Sequence, residues 1–219
     1  MAWSRTDIAN RALGVLGISD SINDVDTGTS REAKAVRAVL DMAIESLSSE
    51  FAWPFTRKVE EMSLVDGTSS DAYSEDWQYA YRYSTYWVKF FAVRDADTNG
   101  RFETEKNRVE FKVVEDASGR LVLTDLEDAS AEVAVLPEEG LYPAKYVEAL
   151  STKVAMMAGP RLEGATKKSI DLRAQYENEL SSAKATAMNE AEYQLPMDGP
   201  AVAARRGILN RRWRGNDPV

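Results

Sequence analysis

The chain has 219 residues, of which 44% are hydrophobic and 29% are charged, and this length can bury a core as one large domain or as a frame with an insert. It contains no cysteine and no histidine, which excludes disulfide frameworks, Cys/His zinc sites, cysteine nucleophiles and reactions that need a histidine base. We therefore expect no metal site and no cofactor. No stretch is long and apolar enough to span a bilayer, so we also expect no membrane partner.

Charge is distributed unevenly along the chain. The net charge is −9, yet residues 201–219 carry five arginines against Asp217 alone, a local charge of +4 that leaves −13 on the other 200 residues. An acidic body with a basic tail indicates a docking tail rather than a body that binds nucleic acid. The N-terminal residues lack the apolar core of a secretory signal, and the absence of cysteine suits a reducing cytoplasm as the place of assembly.

The first predicted helix follows Ser4, which can cap it together with Asp7, and Gly17 ends it. This helix and its glycine turn resemble the first half of a helix-turn-helix, which would make the protein a DNA-binding protein. A recognition helix should then follow and present basic or amide side chains to the bases. Residues 20–28 are instead acidic and free of lysine and arginine, so phosphates would repel them.

The second predicted helix begins at Thr29-Ser30-Arg31-Glu32, where Thr29 and Glu32 have the spacing of a capping box. An apolar stripe with helical spacing then runs from Ala33 to Phe51. Pro54 ends this helix, because it forces Trp53 out of the helical conformation. We expect Trp53 to anchor the helix end on the next element.

The stretch from Tyr73 to Phe91 contains nine of the chain's twenty aromatic residues. From Trp77 to Tyr83 the aromatic residues occupy every second position, which predicts an extended segment with one apolar face. The rings either form the core of a small sheet or face a partner. We expect this segment to be the central strand of an inserted sheet, with the rings of Trp77, Tyr79, Tyr81 and Tyr83 packing the sheet onto the helices.

Further strands are predicted on both sides of the aromatic segment. They cover residues 56–66, a continuation through Val88 and Val93, a hairpin of 108–115 and 120–124 with its turn at 116–119, and a last strand at 131–136. Four or five strands are enough for one small sheet with one covered face. The loop from Asp95 has a glycine at the sixth position of a calcium loop, but Lys106 occupies the twelfth, so we interpret it as a polar turn.

Helical periodicity returns at Pro143, and Gly159-Pro160 is predicted to break this third helix. A long polar helix from about 166 to 193 has a narrow apolar stripe, which favours packing on one side only or a place between subunits. The fold class is therefore predicted to be α+β. A helical domain (1–55 and 138–200) carries an inserted antiparallel β domain (56–137), and the arginine-rich tail (201–219) follows.

The order of these parts resembles a known family, the head-to-tail adaptor proteins of tailed phages, and in particular the tubular tail protein A type of short-tailed phages. Five places carry the resemblance, and together they span most of the chain. They are the first helix (Asp7–Gly17), the helix end (Leu47–Phe55), the aromatic segment (Trp77–Tyr83), the closing helix pair (Ala149–Ala158 and Tyr176–Ala183) and Ala203-Ala204-Arg205.

The resemblance implies a structural virion protein without enzymatic activity. It would form a ring of about twelve identical subunits between the portal protein and the tail tube or nozzle protein. The genome would pass through the bore without specific binding, which suits an acidic body because like charge keeps DNA from sticking. The protein would be assembled in the host cytoplasm and would lie at the head–tail interface of the virion.

The resemblance also implies roles for two sets of residues. The tail would bind the portal, since arginine suits bidentate contacts with carboxylates, and the residues concerned are Arg205, Arg206, Arg211, Arg212, Trp213 and Arg214. The alternatives are a disordered, solubilising tail, or direct contact with DNA in which Trp213 stacks on a base. Tyr86 and Trp87 lie where the chain departs from the family pattern, so we expect them to face the tail or a neighbouring subunit.

Two other functions stay open at this stage. A head-completion connector of a long-tailed phage uses a similar helical frame. A cell-wall glycoside hydrolase of the tail needs only two carboxylates, and the chain has 36 acidic residues. Against the hydrolase, no acidic residue stands alone within an apolar run that would raise its pKa, as a general acid requires.

We predict that deletion of residues 201–219 leaves the fold intact and abolishes portal binding, because the deletion removes the positive charge that we assign to docking. Circular dichroism checks the fold, and a pull-down with the portal protein checks the binding. Unchanged affinity of the truncated chain for the portal would contradict this role of the tail.

Overall fold

A computed structural model of the chain describes residues 2–65, 76–95, 109–162 and 166–191. The predicted α+β class is confirmed, because these residues form four helices and six strands in two small antiparallel sheets. All of the described strands lie between residues 57 and 135, with two helices before them and two after them. The division into a helical and a β domain stays a prediction. Among the described helices, none combines the length and the apolar character needed to cross a bilayer.

The elements are named in chain order. The helices are α1 (Arg5–Val15), α2 (Arg31–Glu50), α3 (Ala144–Leu162) and α4 (Thr166–Ala191). The strands are β1 (Arg57–Glu61), β2 (Tyr79–Arg82), β3 (Trp87–Asp95), β4 (Lys112–Asp116), β5 (Gly119–Thr124) and β6 (Ala129–Val135). Single 3-10 turns at Pro54–Thr56 and Glu139–Leu141 connect the helices with the first and last strands.

The ends of α1 agree with the sequence prediction. The Asp7 backbone N–H donates to the Ser4 hydroxyl, and the Asp7 carboxylate accepts from the Ser4 backbone N–H, which completes a capping box. Gly17 has a φ of 77°, and its N–H donates to the carbonyl of Gly14 at 3.0 Å, so the glycine ends the helix as predicted. Residues 18–28 form no second helix.

The cap of α2 lies one residue later than predicted. Ser30, and not Thr29, is the N-cap residue, and its hydroxyl accepts from the N–H of Ala33 at 3.1 Å. The third helical residue is then Ala33, so Glu32 is out of position for a capping box. The predicted stripe is buried along α2, and Trp53 beyond its end is 1% exposed.

All four helices contribute to one apolar core. The buried residues include Leu13 of α1, Leu40 of α2, Leu150 of α3 and Tyr176 of α4. The N-terminal pair and the C-terminal pair of helices therefore pack together, although the strands separate them in sequence. Burial of this shared apolar surface holds the two chain ends in one unit.

The prediction that Gly159-Pro160 breaks α3 is wrong, because the helix continues to Leu162. Proline lacks one N–H, but near a helix end only the last turn is affected by this loss. Arg31 compensates at the same end, since its Nη2 donates to the carbonyls of Arg161 at 3.0 Å and Leu162 at 3.2 Å. The helix end is thus capped by a side chain from the start of α2.

The strands form two sheets where the sequence predicts one. The first sheet has the order β1-β6-β3 and the second has the order β2-β5-β4, both antiparallel throughout. The β4–β5 hairpin is confirmed, with Asp116 opposite Gly119 across a two-residue turn. Two isolated β-bridges lie where the chain crosses from one sheet to the other. One joins Leu64 to Tyr81, and the other joins Val109 to Val93.

The placement of the aromatic segment differs from the prediction. β2 lies at the edge of the second sheet, and β5 is its central strand. Tyr81 is buried between the two sheets together with Val122 and Val133, while Tyr79 and Tyr83 pack at the margin of this cluster. Trp77 packs on the opposite face, against Ala80, Leu121 and Leu123. The three tyrosines therefore join sheet to sheet, Trp77 covers the other face of the second sheet, and none of the four belongs to the helical core formed by the described residues.

Several predictions fall outside the described residues. They concern Tyr73, the polar turn that is predicted from Asp95 to Gly100 beyond Asp95 itself, and the whole tail of 201–219 with its candidate portal-binding residues.

We expect Gly28→Ala to lower the free energy of unfolding by about 1–3 kcal/mol, since an added Cβ would clash with the Asp24 carbonyl oxygen and lie 2.8 Å from the Ala33 Cβ. Gly14→Ala is the matched control. A Cβ there meets nothing within 4 Å, so we expect it to raise stability by about 0.5–1 kcal/mol through helix propensity. Urea denaturation of both variants checks this, and equal effects would contradict the packing at Gly28.

Candidate interaction surface

Tyr86 and Trp87 lie where the chain turns from β2 into β3. Tyr86 exposes 58% of its surface, whereas Trp87 exposes 7% and packs into the cluster between the sheets. The two rings meet edge to face, with centroids 6.4 Å apart. Of the two residues predicted to face a partner, Tyr86 is thus the one that presents its ring to solvent.

A single carboxylate holds this pair in place. The Oε2 atom of Glu60 accepts from the Tyr86 hydroxyl and from the Trp87 Nε1–H, each at 2.8 Å. Hydrogen bonds to an ionised acceptor are roughly twice as strong as neutral ones. Glu60 of β1 thus holds the exposed Tyr86 ring in place. A partner that packs on the ring therefore loses little binding free energy to the ordering of this side chain.

A cavity of about 430 Å³ opens beside Tyr86. It lies where the turn before β3 meets α2 and the segment that leaves β6. Its lining combines aromatic, apolar and acidic side chains, and the residues are Arg5, Asp41, Ile44, Glu45, Thr85, Tyr86, Trp87, Val88, Val135, Leu136, Pro137, Glu139 and Tyr142. Leu141 lies next to this lining and is 68% exposed.

The lining of the cavity includes Arg5, Asp41 and Glu139, which belong to an ion-pair cluster centred on Arg5. Its guanidinium donates to Asp41 at 2.7 Å, to Asp26 at 3.2 Å and to Glu139 at 3.3 Å. Burial by itself disfavours the charged guanidinium, but the bonds to Asp41 and Glu139 outweigh this, and the net result is a raised pKa of Arg5. The cluster joins the start of α1 to α2 and to the turn before α3.

The cavity retains an excess of negative charge. Asp41, Glu45 and Glu139 supply three carboxylates against the one guanidinium of Arg5, a net charge of −2. Within the described part of the chain, Glu45 has no ion-pair partner. The wall of the cavity is therefore suited to a cation that also has flat or apolar surface to bury.

A second polar cluster is buried among the helices. Lys153 of α3 donates from Nζ to the Ser46 hydroxyl at 2.9 Å and to the Glu50 carboxylate, and both acceptors lie on α2. The Tyr176 hydroxyl of α4 donates to the same carboxylate at 2.9 Å, and the Lys153 ammonium lies 5.4 Å from the Tyr176 ring centre. This network joins three helices. Its lysine and its carboxylate pair with each other, so the network does not indicate a ligand site.

The acidic groups with resolved shifts do not point to acid catalysis. Hydrogen bonds from Ser4 lower the pKa of Asp7, and the Thr27 hydroxyl lowers the pKa of Asp24. A glycosidase general acid needs a shift in the opposite direction. In the described residues no group of three acidic side chains is arranged to hold a metal ion.

Sequence reasoning singled out Tyr86 and Trp87 as candidates, and their role stays a prediction, but it did not point to the other cavity residues or to the Lys153 network. Lys153 carried a readable signal, since it lies three residues after Leu150 and one before Val154, within the apolar stripe of α3. A lysine at such a position is buried only with a partner. Arg5, Asp41 and Glu139 carried no comparable signal, because they are far apart in sequence and each is an ordinary surface residue by type.

Comparison with known proteins adds no relative. None of the protein-family models matches the chain, and no curated protein is similar enough to count as a match.

We expect the protein to lose stability as the pH rises from 10 to 12. Burial, followed by the nearby charge of Glu139, raises the pKa of Tyr142 from 10.0 to about 12, so the unfolded chain releases this proton first. Its contribution is fully present below pH 10 and is lost as the pH passes through 12. Burial also raises the pKa values of Tyr146 and Tyr176, which adds to the same trend.

Denaturation at several pH values checks this prediction. Tyr142→Phe removes one of the titrating groups, so its stability should fall less steeply between pH 10 and 12 than that of the unchanged protein. An identical slope in the two proteins would contradict the assignment to Tyr142.

Proposed function

We propose that the protein is a structural head-to-tail adaptor of a tailed phage, without enzymatic activity, and that it forms a ring between the portal and the tail tube or nozzle. The observation that carries the proposal is the packing of helices from both chain ends into one core, with every described strand inserted between them. This order of parts is the one that the sequence resemblance implies. The structure supports this order of helices and strands, whereas the assembly of the chain into a ring is proposed.

The long helix α4 supports a place between subunits. Leu172, Tyr176, Ala183 and Ala187 are buried, whereas most of the other side chains described from residue 171 onward are exposed. When a helix packs against the core of its own chain on one narrow side only, the rest of its surface is available to a neighbouring subunit. Met188 is 63% exposed near its end and supplies an apolar contact for such a neighbour.

The surface around Tyr86 supports a contact with the tail or with a neighbouring subunit. Tyr86, Leu136 and Leu141 are exposed large side chains at the rim of one cavity or next to it. Aromatic residues held in place by their surroundings are favoured anchors at protein interfaces. The polar groups around them, among them Glu60 and Glu139, suit the rim of such an interface.

The charge distribution supports the remaining parts of the proposal. The net charge of −9 suits the wall of a bore through which DNA slides, because negative charge repels phosphate. The arginines of residues 201–219 suit an acidic surface on the portal. We propose the same location as for other adaptors, at the head–tail interface of the virion, with assembly in the host cytoplasm.

Electron microscopy of the purified protein, alone and mixed with its portal protein, tests the proposal. We expect a ring seated on the portal, with a count of about twelve subunits by native mass spectrometry. Absence of portal binding and of any ring would contradict an adaptor. A complex with a long-tail completion protein would favour the head-completion connector, and robust cell-wall hydrolysis would favour the hydrolase.

We predict that Tyr86→Ser weakens assembly with the tail protein or between subunits by about tenfold or more, since it removes an exposed aromatic anchor. Val113→Ser is the matched control, because Val113 is also exposed but lies on β4 of the other sheet. Sedimentation of mixtures measures both variants. If both behave like the unchanged protein, the surface around Tyr86 is not the interface.

A further inference from the structure

We propose that the acidic cavity beside Tyr86 is a binding site for the arginine-rich segment 201–219 of the same chain. The segment would insert a guanidinium between the Tyr86 ring and the carboxylates of Glu45 and Glu139. This inference does not rest on the adaptor function, since it concerns only two parts of one chain.

The first support is charge. The lining of the cavity carries three carboxylates and one guanidinium, while the segment carries five arginines and one aspartate. Asp41 already accepts a hydrogen bond of 2.7 Å from Arg5. The hydrogen bond from Arg5 to Glu139 is longer, at 3.3 Å. Glu45 has no ion-pair partner within the described residues, so its carboxylate is available to an arginine.

The second support is the shape and chemistry of the wall. Arginine is planar and stacks on aromatic faces while its fork of N–H groups bonds carboxylates. The lining of the cavity includes both kinds of partner, namely the exposed ring of Tyr86 and the acidic residues Asp41 and Glu45 of α2. Its volume of about 430 Å³ lies in the range of pockets that hold a side chain or a small ligand.

The third support is reach. Ala183 and Ala187, near the end of α4, are buried in the helical core, and α4 contacts the turn Pro54–Thr56. Phe55 of that turn has its ring centre 5.9 Å from that of Tyr142, which lines the cavity. Arg205 follows Ala191 by fourteen positions, and fourteen residues span at most about 50 Å when fully extended. We infer from this length that the first arginine reaches the cavity of its own chain.

Disulfide trapping in the full-length protein tests the proposal. Because the chain has no native cysteine, only the introduced cysteines can form a disulfide. One variant carries Thr85→Cys, at the rim of the cavity, together with Asn210→Cys in the segment. The matched control carries Thr29→Cys with the same Asn210→Cys. Thr29 is also an exposed threonine, but it precedes α2, whose first residue Arg31 lies about 15 Å along the helix from Asp41.

We expect the Thr85 pair to form an intrachain disulfide at least about tenfold faster than the Thr29 pair, because binding raises the local concentration of the segment at the cavity. High salt should remove most of this advantage, since it screens exposed charges. Glu45→Gln with Glu139→Gln should also remove it. Arg211→Glu with Arg212→Glu should do the same without changing any residue of the cavity. Non-reducing electrophoresis separates the intrachain product from a covalent dimer.

Three results would overturn the proposal. The first is equal trapping rates for the Thr85 and Thr29 pairs. The second is a fast Thr85 disulfide that neither salt nor the charge variants slow. The third is a covalent dimer as the main product, which would assign the cavity to the tail of a second copy. Because no portal protein enters the experiment, its outcome is separate from that of the adaptor proposal.

Discussion

The contact on which the rest of the structure depends is the packing of Trp53 at the end of α2. Its Nε1–H donates to the Leu47 carbonyl at 2.9 Å, which satisfies a carbonyl that the helix leaves without a partner. Its ring meets Tyr146 of α3 edge to face, with centroids 5.0 Å apart. The chain turns from helix into β1 within four residues of this point, so one side chain fixes both the helical core and the direction of the insert.

Buried polar groups around this contact make the packing of the helices specific. The Ser48 and Tyr146 hydroxyls share a hydrogen bond of 2.6 Å, and Lys153 and Tyr176 meet at the Glu50 carboxylate. Apolar contacts alone tolerate a shifted or rotated helix, whereas each of these groups costs free energy when it loses its partner. A frame built in this way keeps its shape, which the proposed adaptor role would require.

The β part combines a closed interior with an open rim. Both faces of β2 are buried at Ala80 and Tyr81, because a sheet of only three strands gains enough apolar contact only when other groups cover each side. The rim beside the helices is different, since Tyr86 and Leu141 stay exposed next to an acidic cavity. The rigid interior thus positions a small surface that suits a partner, whether a separate protein or the basic end of the chain.

The sequence by itself determined the helices, the hairpin and the α+β class, because caps, stripes and turns act between residues that are close in the chain. It also singled out Tyr86 and Trp87. Only the tertiary structure decided that β2 is an edge strand, that two sheets form instead of one, and that α3 continues past Pro160 with help from Arg31. The tertiary structure also determined the residues that line the cavity. Arg5, Asp41 and Glu139 come into contact only after distant segments pack, and no local sequence pattern predicts this contact.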